Sequence, residues 1–262
     1  MNEKAIGIYD SGVGGLTVFK EIKKKMPEEN IIYLGDTRNF PYGNKEKEEI
    51  IKFAVKNTEI LIQKQVKVVI VACGTATSQA IDILRQKFDI PIIGIIEPTV
   101  QYIKNQGYQE VGVMTTEGTI KSGAWEKTLK KEIPTIKVVN KACPMLANIA
   151  ESGNAESEQG KAAIREYMKI FKANHIDKII LGCTHYPIFQ EIINEELEYE
   201  VELINTGIAV ANYLERYLKN NRLENSGTIK KGKIYLTKPE KEFKKIAKNI
   251  MNQEFEITQI EE

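Results

Sequence analysis

Short runs of β-branched and apolar residues alternate along this chain with longer segments whose apolar positions recur at helical spacing. Nearly continuous apolar runs fit strands buried on both faces, as in a parallel sheet covered by its crossover helices. The runs predict strands at Ala5 to Tyr9, Ile31 to Leu34, Val66 to Ala72, Ile92 to Ile95, Val111 to Met114, Lys137 to Val139, Lys178 to Leu181 and Val201 to Ile204. Helices fill the gaps. Leu16 to Lys25 is one, with Leu16, Phe19 and Ile22 on one face. The pattern is that of an α/β protein with mainly parallel sheets.

A coarse internal repeat runs through it. Strand Ile6 to Tyr9 leads to a glycine turn and a helix, and strand Val111 to Met114 leads through Thr115, Thr116 and Gly118 to another. Ile6 and Val111 lie 105 residues apart, and Cys73 and Cys183 lie 110 apart. A duplicated unit accounts for both spacings. It predicts two similar, pseudo-two-fold-related α/β domains facing one another.

Glu97-Pro98 closes the first unit and Asn205-Thr206-Gly207 the second. The remainder reads as helix Ile208 to Tyr217, a polar loop Asn220 to Gly227, strand Lys233 to Leu236 and helix Glu240 to Met251. That is too little for a third core, so it is expected to rejoin the first unit. The expected division is 1–97 plus 207–262 for one domain and 98–206 for the other.

Charge and composition narrow the function. The 262 residues carry a formal net charge of +1, which supplies no field to attract nucleic acid or an anionic membrane. The lysines of the last helix (Lys241, Lys244, Lys245 and Lys248) oppose its apolar face of Phe243, Ile246, Ala247 and Ile250, as on any solvated amphipathic helix. No apolar run reaches the ~18 residues of a membrane helix, and the N-terminus lacks the pattern of a secretory signal. Three cysteines, an odd number without framework spacing, point to reduced thiols and a cytoplasmic protein.

Two of those thiols stand out. Val68-Val69-Ile70-Val71-Ala72 delivers Cys73-Gly74-Thr75, and Lys178-Ile179-Ile180-Leu181-Gly182 delivers Cys183-Thr184-His185. Parallel α/β sheets bind ligands outside the carboxyl ends of their strands, where both thiols are expected. Two thiols at matching strand ends suit attack on a chiral carbon from both faces. A thiol base must ionise, so each needs a partner; Asp10 is placed to serve Cys73, and His185 to serve Cys183. Cys143 is expected to be structural and His175 to be a surface loop residue.

The turn Asp10-Ser11-Gly12-Val13-Gly14-Gly15 lies between a strand and a helix, where backbone amides attract an anion. Thr17 replaces the third glycine of a dinucleotide fingerprint and no GK[ST] follows, so a small carboxylate suits the turn better than a nucleotide. Thr115, Thr116, Thr119 and Ser122 form either a helix cap or a cluster of donors. Pro41-Tyr42-Gly43, taken alone, is a turn.

Together these segments resemble the glutamate racemase family, cofactor-independent enzymes that supply D-glutamate for peptidoglycan. The match rests on DSGVGGLTV at Asp10 to Val18, GDxxxxPYG at Gly35 to Gly43, ACxTAT at Ala72 to Thr77, IEP at Ile96 to Pro98 and GCTHYP at Gly182 to Pro187. The resemblance implies a two-base proton transfer in which Cys73 serves the D-enantiomer and Cys183 the L-enantiomer. Asp10, His185 and Glu151 match the family's assisting groups. Substrate-binding positions carry over as Asp10, Ser11, Pro41, Tyr42, Gly43, Gly74, Thr75, Thr116, Thr119, Thr184 and His185. No cofactor and no metal are implied. Two α/β domains with the active site in the cleft between them, and a homodimer, are.

Two departures matter. The family has asparagine where this chain has Gly74, and Asp-Ser-Gly where it has Asn205-Thr206-Gly207. A lost hydrogen bond to a charged group costs about 1.5 to 3 kcal/mol. Gly74 is expected to loosen the pocket, which keeps an aspartate or broader-specificity racemase, and a noncatalytic binding homologue, as alternatives. A thiol redox protein is a third, requiring a disulfide between Cys73 and Cys183.

Overall fold

The computed structural model describes residues 3–239 and 241–260. Its first sheet holds β1 (Ile6–Asp10), β2 (Ile31–Gly35), β3 (Val68–Val71) and β4 (Ile92–Gly94). The second holds β5 (Glu110–Thr115), β6 (Lys137–Ala142), β7 (Lys178–Leu181) and β8 (Glu202–Asn205). The chain then returns to the first sheet with β9 (Lys233–Leu236) and β10 (Ile257–Gln259). All pairings among the described strands are parallel.

The strand orders are β10-β9-β2-β1-β3-β4 and β6-β5-β7-β8. Leaving aside the returning pair, both sheets therefore read second, first, third, fourth. The repeat seen in the sequence is a repeat of topology, and β3 and β7 are equivalent strands. Each carries its cysteine two residues beyond its last paired position, Val71 or Leu181.

Apolar continuity explains the inner strands: every residue of β1, β2 and β3 is buried. Helices cover both faces, leaving these strands no solvated side and hence no alternation. The helix Leu16–Lys25 buries Leu16, Val18, Phe19 and Ile22 and ends on Lys23, Lys24 and Lys25, cations at the negative end of its dipole. Packed against it is Thr206–Asn221, which also touches Ile96–Gln106. One apolar cluster runs from Ile6 and Ile8 through Val100, Ile103, Val210 and Leu214 to Val111, Val113 and Ile180. The two sheets thus share a continuous core on this side.

The C-terminal region departs from expectation in three places. Its first helix starts two residues early because the Asn205 side chain accepts from the Gly207 N–H at 2.8 Å. It also runs through Asn220 and Asn221, so the polar loop begins later than expected. Strand β10 has no signal in the sequence, since Ile257 is half-buried while Thr258 and Gln259 are exposed; pairing with β9 makes it a strand. The last helix is Phe243–Met251, and Glu240, its expected start, lies outside the described residues. Lys244, Lys245 and Lys248 of this helix are exposed, as is Lys241 ahead of it.

Candidate active site

Cys73 is the residue before helix Gly74–Lys87, at the carboxyl end of β3. Cys183 follows β7 through Gly182, ahead of the short helical turn Tyr186–Phe189. Both thiols line one cavity of about 390 Å³ between the sheets, together with Ser11, Pro41, Tyr42, Gly43, Thr75, Thr116, Thr184 and His185. A larger hollow of about 740 Å³ lies on the far side of Gly43 and Gly118, but neither thiol reaches it. All three cysteines are free. Cys143 is fully buried in the core of the second sheet, and His175 is an exposed residue with a left-handed backbone.

The environments of the two thiols differ. Burial pushes the Cys73 thiol far above its usual range, and the nearby Asp10 carboxylate adds to the shift. The Ala76 backbone N–H and the Ser11 hydroxyl pull the other way, the latter across 3.9 Å. Cys183 instead faces an imidazole, with His185 Nδ1 3.6 Å from its sulfur. Burial alone would favour neutral His185, but its hydrogen bonds to Cys183 and Glu151 outweigh it and hold the ring protonated well above the ordinary range.

Asp10 is fully buried at the end of β1. Burial raises its carboxyl, opposed by the charge on His185 and the Gly12 N–H. One oxygen accepts from Gly12 N at 3.0 Å and the other from the Thr184 hydroxyl at 3.1 Å. It does not cap the helix Leu16–Lys25, whose flanking residue is Gly15.

Glu151 ends the helix Leu146–Glu151 with its side chain only 14% exposed. One oxygen accepts the Val13 backbone N–H and lies 2.7 Å from His185 Nε2. One amide of the glycine turn, that of Val13, is thus taken by a carboxylate of the protein itself. A Cβ on Gly12 would fall 1.9 Å from Glu151 Oε1, and one on Gly14 would fall 2.6 Å from His185 Nδ1. The glycines are there so that the second half can enter the turn.

Across the cavity the threonines act both as cap and as donor cluster. Thr116 accepts from the Thr119 N–H at the start of Glu117–Ser122, and its hydroxyl lies 2.9 Å from those of Thr75 and Thr119. The Gly118 N–H donates to the Gly43 carbonyl at 3.0 Å, joining the halves again beside Pro41-Tyr42-Gly43.

Sequence reasoning gave Asp36 no role, although it stands in the segment leading to Tyr42. It is buried and accepts from the Tyr42 hydroxyl, from Asn39 Nδ2 at 3.0 Å and from the Thr237 hydroxyl at 3.0 Å. Asn57 donates to the Tyr42 oxygen at 3.0 Å. A residue from the returning C-terminal segment therefore helps to shape the loop that lines the cavity at Pro41, Tyr42 and Gly43. A buried-type aspartate between an apolar strand and a turn was the available signal.

A thiol from each of two topologically equivalent strands lines one cavity with the His185 imidazole, while Asp10 and Glu151 stand behind it on Thr184 and His185. Known proteins give that arrangement its class. The family model described as Asp/Glu/Hydantoin racemase matches residues 15–214. Glutamate racemase of Bacillus cereus is 39% identical over 235 residues, covering 89% of this chain and 87% of that protein. That of Persephonella marina is 37% identical, covering 98% and 97%. Glutamate racemase of Francisella tularensis, crystallised with D-glutamate, superposes with a TM-score of 0.93 at 33% identity, over 100% of this chain and 98% of that one. The fold is the two-domain racemase fold, and the molecule is an isomerase of the racemase class. The chain belongs to the Asp/Glu/hydantoin racemase family. Among the described residues no helix is long and apolar enough to cross a membrane.

Proposed function

We propose that this enzyme interconverts L- and D-glutamate without a cofactor, by a two-base transfer between Cys73 and Cys183, and supplies D-glutamate for peptidoglycan synthesis in the cytoplasm. The observation that carries the reading is the single cavity lined by both thiols. From L-glutamate, the Cys183 thiolate removes the α-proton, and the Cys73 thiol delivers its own proton to the opposite face. The products are D-glutamate, a protonated Cys183 and a Cys73 thiolate. The reverse reaction, or proton exchange, restores the starting pair. Asp10 assists on the Cys73 side and His185, buttressed by Glu151, on the Cys183 side.

The substrate carboxylates fall to Ser11, Thr75, Thr116, Thr119 and Thr184 and to backbone amides around Gly43 and Gly74. Donors fixed in place before the carbanion forms stabilise its charge without reorganising. Domains at 1–97 plus 207–262 and at 98–206 belong to the same reading, supported by the return of β9 and β10 to the first sheet. So does a homodimer, which sedimentation analysis tests.

The deciding experiment incubates the protein with each glutamate and each aspartate enantiomer in deuterated water. Inversion of glutamate with α-deuterium incorporation is expected. Inversion of aspartate alone transfers the reading to that substrate, and binding without exchange rejects catalysis.

A further inference from the structure

Phe40 immediately precedes Pro41-Tyr42-Gly43 in the first half, yet its ring lies against an imidazole of the second. The ring centroids of Phe40 and His185 are 5.8 Å apart, with the planes inclined by 54°. Phe40 is half-buried and lines the same cavity as both thiols. A Cβ on Gly12 would fall 3.1 Å from Phe40 Cδ2 and 1.9 Å from Glu151 Oε1, so the phenyl ring also sits beside the carboxylate that holds the imidazole.

Both nitrogens of His185 are committed. Nδ1 stands 3.6 Å from the Cys183 sulfur, and Nε2 stands 2.7 Å from Glu151 Oε1. Ionisable groups thus face the imidazole from three elements: Cys183 ahead of its own turn, Glu151 at the end of its helix, and Asp10 at the end of β1, which acts through charge. The side chain is only 2% exposed, so a charged ring here has almost no water to solvate it. What the cavity loop places beside it instead is a benzene ring. The face of such a ring attracts a cation within about 6 Å of its centroid, and more strongly where water is excluded.

We propose that Phe40 is a positioning residue for His185: reaching across from the opposite half, its ring covers the imidazole and favours the charged form, which extends to higher pH the range over which the Cys183 side of the site works. The ring tunes the site and does not enable it, because Cys183 and Glu151 hold the imidazole without it. The proposal rests on the two-thiol reading above. Covering the imidazole and attracting its charge are opposed effects, since an apolar cover by itself disfavours the cation. A variant that keeps the cover and removes the aromatic face separates them.

Phe40→Leu is that variant, and Phe40→Tyr restores the ring. In imidazole NMR, His185 should lose its proton at lower pH in Phe40→Leu than in the unaltered protein, while Phe40→Tyr should titrate as the unaltered protein does. The exposed His175 serves as the internal reference. In the inversion of L-glutamate, kcat of Phe40→Leu should stay within about twofold at neutral pH and fall about two- to tenfold on the alkaline limb, with KM changed less than about twofold. A ring that served only as packing would lower kcat by one factor at every pH. An unshifted or raised His185 titration in Phe40→Leu, an equal downward shift in Phe40→Tyr, or a uniform loss across pH would overturn the proposal. Should Phe40→Leu not fold, Phe40→Met carries the same comparison. Lack of inversion by the unaltered protein would instead reject the two-thiol reading, while the His185 titration, which needs no turnover, still judges Phe40.

Discussion

Glu151 holds His185 from one half and the Val13 backbone from the other with a single carboxylate oxygen. A group that, after Cys183, helps to hold the imidazole protonated therefore also ties the two halves together beside the cavity. One atom carries both the link to the ring and the contact between the halves.

Removing the Glu151 charge should lower the His185 pKa, since hydrogen bonding to Glu151 is among the causes that raise it. The chain has two histidines, so imidazole NMR resolves the site easily. His185 is expected to titrate well above the ordinary value of about 6.5, and Glu151→Gln to bring it down with kcat reduced about 10- to 100-fold. An unchanged His185 titration in Glu151→Gln would contradict the link.

The same shift has a signed effect on stability. A ring whose pKa is higher in the folded state binds its proton more tightly there. Its contribution is complete below about 6.5 and disappears as pH rises through the folded value. In urea melts, the difference in stability between the wild type and His185→Gln should shrink on raising pH through that window.

Cys73 offers a second pH test. Burial and then the Asp10 charge hold its thiol up, so alkylation of Cys73 should keep accelerating into the alkaline range. Asp10→Asn removes one of the causes that raise it, and its alkylation profile should move to lower pH. Peptide mapping after timed iodoacetamide treatment reads both, and a profile independent of Asp10 would count against the coupling. Cys73→Ser and Cys183→Ser should each lower inversion by about 10²- to 10⁴-fold, measured by polarimetry.

Thr237→Val removes one donor from Asp36 without altering the cavity wall. Loosening the Tyr42 loop should raise KM for glutamate severalfold while kcat falls less. Equal KM values would show that the C-terminal segment does not influence the loop.

The Lys67–Glu29 pair tests stability away from the site. Its charges lie 2.7 Å apart with side chains 1% and 3% exposed, and Lys67 also donates to Leu223 O at 2.6 Å. Lys67→Met leaves Glu29 buried and unpaired, an expected loss of about 3 to 5 kcal/mol in chemical denaturation. Adding Glu29→Gln should recover part of it.

Much of this protein was written locally. Apolar runs dictated β1 to β5 and β7 because strands covered on both faces admit few polar residues, and the spacing of Cys73 and Cys183 marked equivalent strand ends before any fold was known. Local sequence also placed Leu16–Lys25 and its buried face. What it left open depends on partners far away in the chain. β10 exists because β9 offers an unpaired edge, and Glu151 is half-buried because the glycine turn, 138 residues earlier, receives it. The clearance beside Gly74 is likewise set by the other half, since a Cβ there would fall 2.5 Å from the Gly182 carbonyl oxygen. A side chain's chemistry is carried by its own atoms, whereas its burial, charge state and clearance are set by whatever the rest of the chain brings alongside.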